Sequence, residues 1–488
     1  MKILLMNLPR ESETIDYTTR EYLLTDFSRY PPLGLLAIAA NVNHRHTIKV
    51  IDVIVKNLSI RDTIQFIEDY KPDVLGISVV TRRLYALSAI SRAVKQALPN
   101  VKIVAGGPHV NYWSEATIKM GTLDYVLTGY GERSFPILID AIENGGGEEL
   151  LKKVPGLYYL SSEGKIRTSP AEEMPVVLDS LPFPDRRLIN LEDYFSAIDK
   201  AKMTTLYSSR GCPFHCIFCD VQEKKFHFRS AKSVVDEFEE IEKLGIKEIY
   251  IVDDNFNVNR QRAIDICNEI LRRKLKIRWS ARARVFPFDE QMMDMLKKSG
   301  CRRLHVGIES VDQSILNYIN KGQSLEQIQN FFRLCREFDI ETLAYFVIGF
   351  SVETREYRER LLKEVMKLGV TYCFFNVLYP LPKTQYYQSL LDDGTFKEDY
   401  WADFVRNPRP NYSLPLPRSP QLQKELETLA DECHRKFCFR PYFILREARK
   451  VAFSPRMFLM RIKLAFVLIW DTLQTRRKIR TEESIETI

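Results

Sequence analysis

The stretch Arg210-Gly-Cys-Pro-Phe-His-Cys-Ile-Phe-Cys-Asp220 decides the reading of this chain. It puts Cys212, Cys216 and Cys219 in one short segment with Cys-x3-Cys-x2-Cys spacing. A cubic iron–sulfur cluster normally takes four thiolates, one for each iron. Three thiolates leave one iron open to a different ligand, and that iron is where chemistry is expected. Two other readings stay open at this level. Cysteine packs well as a small buried hydrophobe, and thiolates also suit zinc, which would need a fourth donor. His215 is close in sequence, but its position immediately beside Cys216 makes it a poor chelator. The other six cysteines (Cys267, Cys301, Cys335, Cys373, Cys433, Cys438) show no metal spacing and read as core residues.

Working outward, an apolar strand at 204–208 runs directly into the cysteine segment. Strands are predicted at 248–252, 277–281, 303–307, 342–348 and 372–378, separated by charge-rich amphipathic helices. Strand carboxyl ends carry the informative side chains. Asp253-Asp254-Asn255-Phe256 follows the second strand, Arg282 the third, Gly307-Ile308-Glu309-Ser310 the fourth, Ile348-Gly349-Phe350 the fifth and Tyr379-Pro-Leu-Pro-Lys-Thr384 the sixth.

The cysteine run, with the aromatic Phe218 before its last cysteine, resembles the cluster loop of the radical S-adenosylmethionine (SAM) enzymes. The six strand–helix units resemble their partial (βα)6 barrel. The resemblance implies a [4Fe-4S] cluster on Cys212, Cys216 and Cys219, whose open iron takes the amino and carboxylate groups of SAM. It also implies reductive cleavage to a 5′-deoxyadenosyl radical, with an electron donor such as flavodoxin or ferredoxin. Phe218 would lie against the adenine. Arginine grips carboxylates through a planar fork, so Arg282 suits the methionyl end. Glu309 or Ser310 suits the ribose hydroxyls, and Asp253 or Asp254 the amino group or the substrate.

Residues 1–145 read as a separate unit. Short apolar strands at 2–7, 47–53, 74–80, 102–105 and 125–128 alternate with helices at 32–41, 60–70, up to 98, and 134–142. That alternation predicts a doubly wound, Rossmann-like α/β domain with a parallel sheet. Ligands bind such sheets at the strand carboxyl ends. Those ends carry Ser78, Thr81, Gly106-Gly107-Pro-His109 and Gly129-Tyr-Gly131-Glu132, where glycine lets a flat ligand approach the backbone. Together with Tyr30-Pro-Pro-Leu-Gly, these segments resemble the cobalamin-binding domain that precedes many radical SAM enzymes. The Asp-x-His-x-x-Gly motif that ligates cobalt elsewhere is absent, since the loop after the first strand reads Leu8-Pro-Arg-Glu-Ser-Glu-Thr. His109 is read as buttressing the cofactor rather than as its axial ligand.

The remaining parts are a linker at 146–201 with a hairpin, a catalytic domain at 202–390 and a mostly helical region at 391–488. Residues 401–420 read as an ordered loop or substrate cover, and 422–437 as a helix. Residues 464–470 form an apolar core too short to span a bilayer. With basic flanks it suits either a helix in a membrane interface or one docked on the catalytic domain. A net charge of +7, from 71 basic and 64 acidic residues, does not indicate nucleic-acid binding. With 45% hydrophobic and 28% charged residues and no signal peptide, the chain is expected in the cytoplasm, with peripheral contact at the inner membrane face open. The resemblance as a whole implies a cobalamin-dependent C-methyltransferase acting on a small molecule, for which a lipid, isoprenoid or tetrapyrrole are candidates. A non-methylating oxidative cyclase or rearrangement enzyme is the alternative. A sensor that binds cobalamin or SAM around a structural cluster is the alternative outside catalysis.

Overall fold

The computed structural model describes residues 1–14, 29–42, 44–170, 177–196 and 201–451. Two parallel sheets follow one another along the chain. The first contains β1 (Lys2–Asn7), β2 (Thr47–Ile51), β3 (Val74–Ser78), β4 (Lys102–Gly106) and β5 (Tyr125–Leu127). Helices α1 (Leu33–Asn41), α2 (Ile60–Tyr70), α3 (Leu84–Ala97), α4 (Pro108–Ile118) and α5 (Gly131–Glu143) connect them. The strands run in the order β2-β1-β3-β4-β5, all parallel. Every residue of β3 except Ser78 is buried, because helices cover both faces.

Two features depart from the sequence reading. Patterning assigns no helix between β4 and β5, yet α4 forms there, with Pro108 at its first turn and a break in helical geometry at Trp113. Its aromatic and polar sequence has little amphipathic periodicity, so only the proline start signal was legible. The linker hairpin forms as β6 (Leu157–Leu160) and β7 (Ile166–Thr168), but β6 pairs antiparallel with β5. Part of the segment read as a linker is therefore the far edge of the first sheet. Pairing of β6 there satisfies an otherwise exposed strand edge.

The second sheet is built from β8 (Met203–Leu206), β11 (Glu248–Ile251), β12 (Arg278–Ala283), β13 (Cys301–Glu309), β14 (Glu341–Ile348) and β15 (Tyr372–Val377), in the order β15-β14-β13-β12-β11-β8. All its pairings are parallel. A two-stranded ribbon of β9 (Ser209–Arg210) and β10 (His227–Phe228) brackets the cysteine segment. Residues alternate along each strand. On β12, Trp279, Ala281 and Ala283 are buried in the apolar layer beneath the helices, while Ser280 and Arg282 face the other way, into the lumen of the curved sheet.

Both open edges are covered. Arg186, from the proline-punctuated linker, donates to the Thr204 hydroxyl (3.1 Å), to the Thr205 carbonyl (2.7 Å) and to Glu237 (2.6 Å) beside β8. On the other edge, the helix Pro420–Cys438 brings His434, whose Nε2 accepts the Phe375 backbone N–H of β15 at 3.0 Å. The predicted helix at 422–437 lies within it. Residues 401–420, read as a loop or cover, begin within a short helix, Tyr400–Arg406. Its Trp401 and Phe404 are buried, and Trp401 donates to the Pro380 carbonyl at 2.9 Å. The apolar run at 464–470 lies outside the described residues. Among the described residues, no helix is long and apolar enough to cross a membrane.

Candidate active site at two sets of strand ends

The cysteine segment leaves β9 through Gly211, whose φ is +82°. A Cβ there would sit 2.0 Å from the Lys225 carbonyl oxygen, so only glycine fits. Beyond it, backbone groups from distant elements hold the segment. Cys212 N–H donates to the Glu223 carbonyl (2.9 Å), Ile217 N–H to that of Ile319 (3.2 Å), and Tyr386 N–H to that of Ile217 (2.8 Å). Asp253, fully buried at the end of β11, accepts from the backbone and hydroxyl groups of Ser208 and Ser209. It fixes the entry to the segment instead of facing a ligand.

The three cysteines are unbridged. Asn255 Nδ2 donates to Cys212 Sγ at 3.3 Å, and Arg284 Nη1 lies 4.0 Å from Cys216 Sγ. Burial pushes the Cys219 thiol up to about 11, and cations bound there would restore the thiolate. A tetrahedral zinc ion draws its sulfurs to about 3.8 Å of one another, given zinc–sulfur bonds near 2.3 Å. The three sulfurs here are not all within 4.8 Å, since among the described residues only His46, Asp140 and Glu143 meet that limit.

Arg284 was missed in the sequence, one pleat beyond Arg282. Its guanidinium lies 3.8 Å from the Phe214 ring centroid and donates to the Lys321 carbonyl. It therefore clamps the cysteine segment onto the strand ends. Arg282 lies deeper in the lumen, donating from Nε to the Tyr250 hydroxyl at 3.1 Å. The arginine at the cysteines is therefore Arg284, whereas Arg282, expected at the methionyl end, opens on the lumen.

Glu309 ends β13 with φ +66°, a conformation costly for a side chain larger than glycine. Its carboxylate pairs with Lys321 at 2.7 Å, and both side chains are nearly buried. Gly307 makes room, because a Cβ there would lie 2.3 Å from Glu309 Oε1 and 2.9 Å from Lys321 Nζ. Ser310 is turned away. Fully buried, its hydroxyl is 2.8 Å from that of Tyr357 and accepts from Asp312 N–H, which removes it from the ribose assignment. Phe218 meets Phe350 edge to face with centroids 5.8 Å apart, forming an aromatic wall. Glu353 accepts from the backbone N–H groups of Gly349 and Phe350 and so holds Phe350 in place. Burial pushes the Glu353 carboxyl up to about 7.

At the first sheet the strand ends are nearly bare. A Cβ on Gly129 would meet nothing within 4 Å, and one on Gly106 only the Leu127 carbonyl at 3.8 Å. Both face open space, as a flat cofactor would require. Gly107 (φ +95°) is tight instead, with a Cβ 2.9 Å from Val79 N and 3.0 Å from Ser78 Oγ. Gly131 packs against Ile38, so it serves helix packing. Thr81 and Thr117 hydroxyls lie 3.1 Å from His109 Nδ1 and Nε2 respectively. Both ring nitrogens are thus engaged inside the domain, and burial lowers the imidazole to about 3. His109 is a neutral buttress, and Thr81 serves it. Glu132 is likewise reassigned from cofactor contact: it is buried against Arg210, whose guanidinium is 4.9 Å from the Tyr130 ring centroid.

That last pair joins the two sites. Helix α4 adds further links, with Tyr112 donating to the Asp220 carbonyl (2.8 Å) and Gln222 donating to that of Pro108 (3.1 Å). The open strand ends of the first sheet therefore adjoin the cysteine segment.

Comparison with known proteins agrees with this geometry. Residues 206–365 match the Radical SAM superfamily and residues 22–139 the B12 binding domain. The chain is 32% identical over 454 residues to an uncharacterized methyltransferase of Pyrococcus horikoshii, covering 92% of this chain and 94% of that one. It is 27% identical to the anaerobic magnesium-protoporphyrin IX monomethyl ester cyclase of Rubrivivax gelatinosus, over 70% of this chain and 62% of the cyclase. The fold is shared with the radical SAM methyltransferase TsrM of Kitasatospora setae, with a TM-score of 0.64 and 19% identity over 80% of this chain and 75% of that chain. The chain belongs to the cobalamin-dependent radical SAM enzymes, which use a [4Fe-4S] cluster, SAM and cobalamin, and it is an enzyme of their methyltransferase type.

Proposed function

We propose that this enzyme methylates an unactivated carbon of a small molecule held in the lumen of the second sheet. The observation that carries the reading is the contact of α4 with Asp220 and Gln222, which sets the glycine-floored strand ends beside the three cysteines. When bound, the cluster and SAM supply a radical able to remove hydrogen from carbon, and cobalamin supplies the methyl group.

The chain's own residues position and enclose. Cys212, Cys216 and Cys219 hold the cluster, and Asn255 and Arg284 lend it N–H groups. Phe218 and Phe350 form one wall for the adenine, with Glu309, poised by Lys321 and Gly307, as acceptor for the ribose hydroxyls. Gly106 and Gly129, flanked by Ser78 and Gly107, would form the floor that holds cobalamin. An electron donor such as flavodoxin or ferredoxin completes the system in the cytoplasm. A lipid, isoprenoid or tetrapyrrole acceptor would bring the chain to the inner face of the membrane.

Anaerobic reconstitution with iron, sulfide and cobalamin, followed by incubation with methyl-deuterated SAM and a metabolite extract, tests this. The expected outcome is S-adenosylhomocysteine together with 5′-deoxyadenosine, and a deuterated methyl group in one metabolite. A cyclase would give 5′-deoxyadenosine alone, and a sensor neither product. Replacing Cys212, Cys216 and Cys219 by Ala should abolish both products and remove the iron.

A further inference from the structure

Halfway down the lumen lies a layer of side chains that neither cluster nor cobalamin accounts for. Tyr250 of β11, Arg282 of β12, His305 of β13 and Tyr345 of β14 sit on successive strands of the sheet and face inward. Tyr250 and His305 stack with centroids 4.6 Å apart. The Tyr250 and Tyr345 hydroxyls lie 3.4 and 3.3 Å from His305 Nδ1. Burial, with Arg303 and Arg282 nearby, holds that imidazole well below its ordinary pKa and therefore neutral. Tyr207, beyond β8, contributes another exposed ring to the same space.

The first domain closes the layer. Tyr30, from the Tyr30-Pro-Pro segment, reaches across to place its ring 5.5 Å from that of Tyr250. A residue singled out by the sequence as part of the cobalamin domain thus lines the lumen of the other sheet.

Arg282 is the anomaly in this layer. Tyr250 and His305 are buried, yet Arg282 keeps exposed surface, which opens on the lumen. Its hydrogen bond goes to a neutral phenol. Among the described residues no carboxylate forms an ion pair with it, although Asp254 stands near enough to feel its charge. Two neighbouring cations are balanced by carboxylates: Arg303 pairs with Glu341 below, and Lys321 with Glu309 above. A guanidinium that opens on the lumen beside aromatic walls has its planar fork unused by any carboxylate, and that fork matches an oxyanion bidentately. We infer that Arg282 seats a compact oxyanion, a carboxylate or phosphate carried by the methyl acceptor, with Tyr250, Tyr207 and Tyr30 walling the adjoining part of that molecule.

The inference rests on the function proposed above, but its test needs no turnover. Phenyl phosphate and benzoate, with benzyl alcohol as the neutral counterpart, are titrated calorimetrically into the reconstituted protein with and without saturating SAM. Both anions should bind, benzyl alcohol should bind at least tenfold more weakly, and SAM should leave the anion affinities unchanged. Arg282→Gln should weaken the anions about 10- to 100-fold, as expected for loss of charged hydrogen bonds. Arg282→Lys should recover part of that loss. Equal binding of the neutral probe, or unchanged anion binding in a folded Arg282→Gln protein, overturns the inference. Competition between the anions and SAM also overturns it, by assigning Arg282 to the methionyl carboxylate. Anion binding through Arg282 in a protein that never forms S-adenosylhomocysteine would instead sink the methyltransferase reading and leave the seat in place.

Discussion

At the strand ends of the first sheet, Gly106 and Gly129 leave the backbone open, and the larger side chains nearby are turned to other tasks. His109 is locked between two threonines, and Glu132 is spent on Arg210. At the strand ends of the second sheet the reverse holds: Asp253, Glu309, Lys321, Arg284 and Asn255 crowd the site, each engaged with a neighbour. The first sheet offers a floor for something large and flat, gripped through backbone and shape. The second offers charge, arranged around thiolates that must be held apart by a loop of fixed path. A floor tolerates exchange of side chains around it, whereas a charged constellation fails when one support is withdrawn.

The sharpest way to break this contrast is Gly211→Ala. A Cβ colliding with the Lys225 carbonyl at a positive φ forces the cysteine segment to move. The expected result is loss of most of the iron and of SAM cleavage, read by iron analysis and by the cluster's visible absorbance, while cobalamin binding by the first sheet persists. Retention of a full cluster would show that the loop path is not what holds it.

A smaller effect is expected from His109→Ala. Removing a buried ring and two hydrogen bonds should cost about 2–3 kcal/mol and lower the melting temperature of the protein by several degrees. The electron paramagnetic resonance spectrum of bound cob(II)alamin should nevertheless match that of the unaltered protein. A change in nitrogen splitting on the cobalt would make His109 a ligand and end the picture of a floor without an axial residue.

The smallest effect concerns pH. The Glu353 carboxyl, raised to about 7 in the folded state from 4.5, favours the protonated form on folding. Its contribution to stability is complete below pH 4.5 and is lost as pH rises through 7. Between pH 6 and 8 the melting temperature should fall by about 2–4 °C more than in Glu353→Gln, whose amide does not titrate. Parallel curves for the two proteins would show that the two backbone donors, Gly349 and Phe350, keep Glu353 ionised throughout.

How much of this was legible beforehand follows the same division. Strands such as 2–7 announced themselves as short continuous apolar runs, because a sheet buried on both faces leaves no alternation to hide. Helix α4 did not, since Trp113 and its polar neighbours face a domain contact that patterning does not register. Arg282 and Arg284 look alike on paper, two residues apart at the end of β12. Only the curvature of the sheet and the docking of the cysteine segment put one at Cys216 and the other in the lumen.

The sequence by itself pointed to the chemistry: three thiols in one short segment, one fewer than the irons of a cubane, and glycines at strand ends that a flat cofactor could approach. These are local properties, fixed by side-chain type and by residues close in the chain. The tertiary structure decided which charges meet. Ser310, Glu132 and His109 were drawn into bonds with partners 47, 78 and 28 residues away, and Tyr30 into the lumen of a sheet that begins at Met203. Pairings of that reach depend on how two sheets dock, and no local pattern encodes a docking angle.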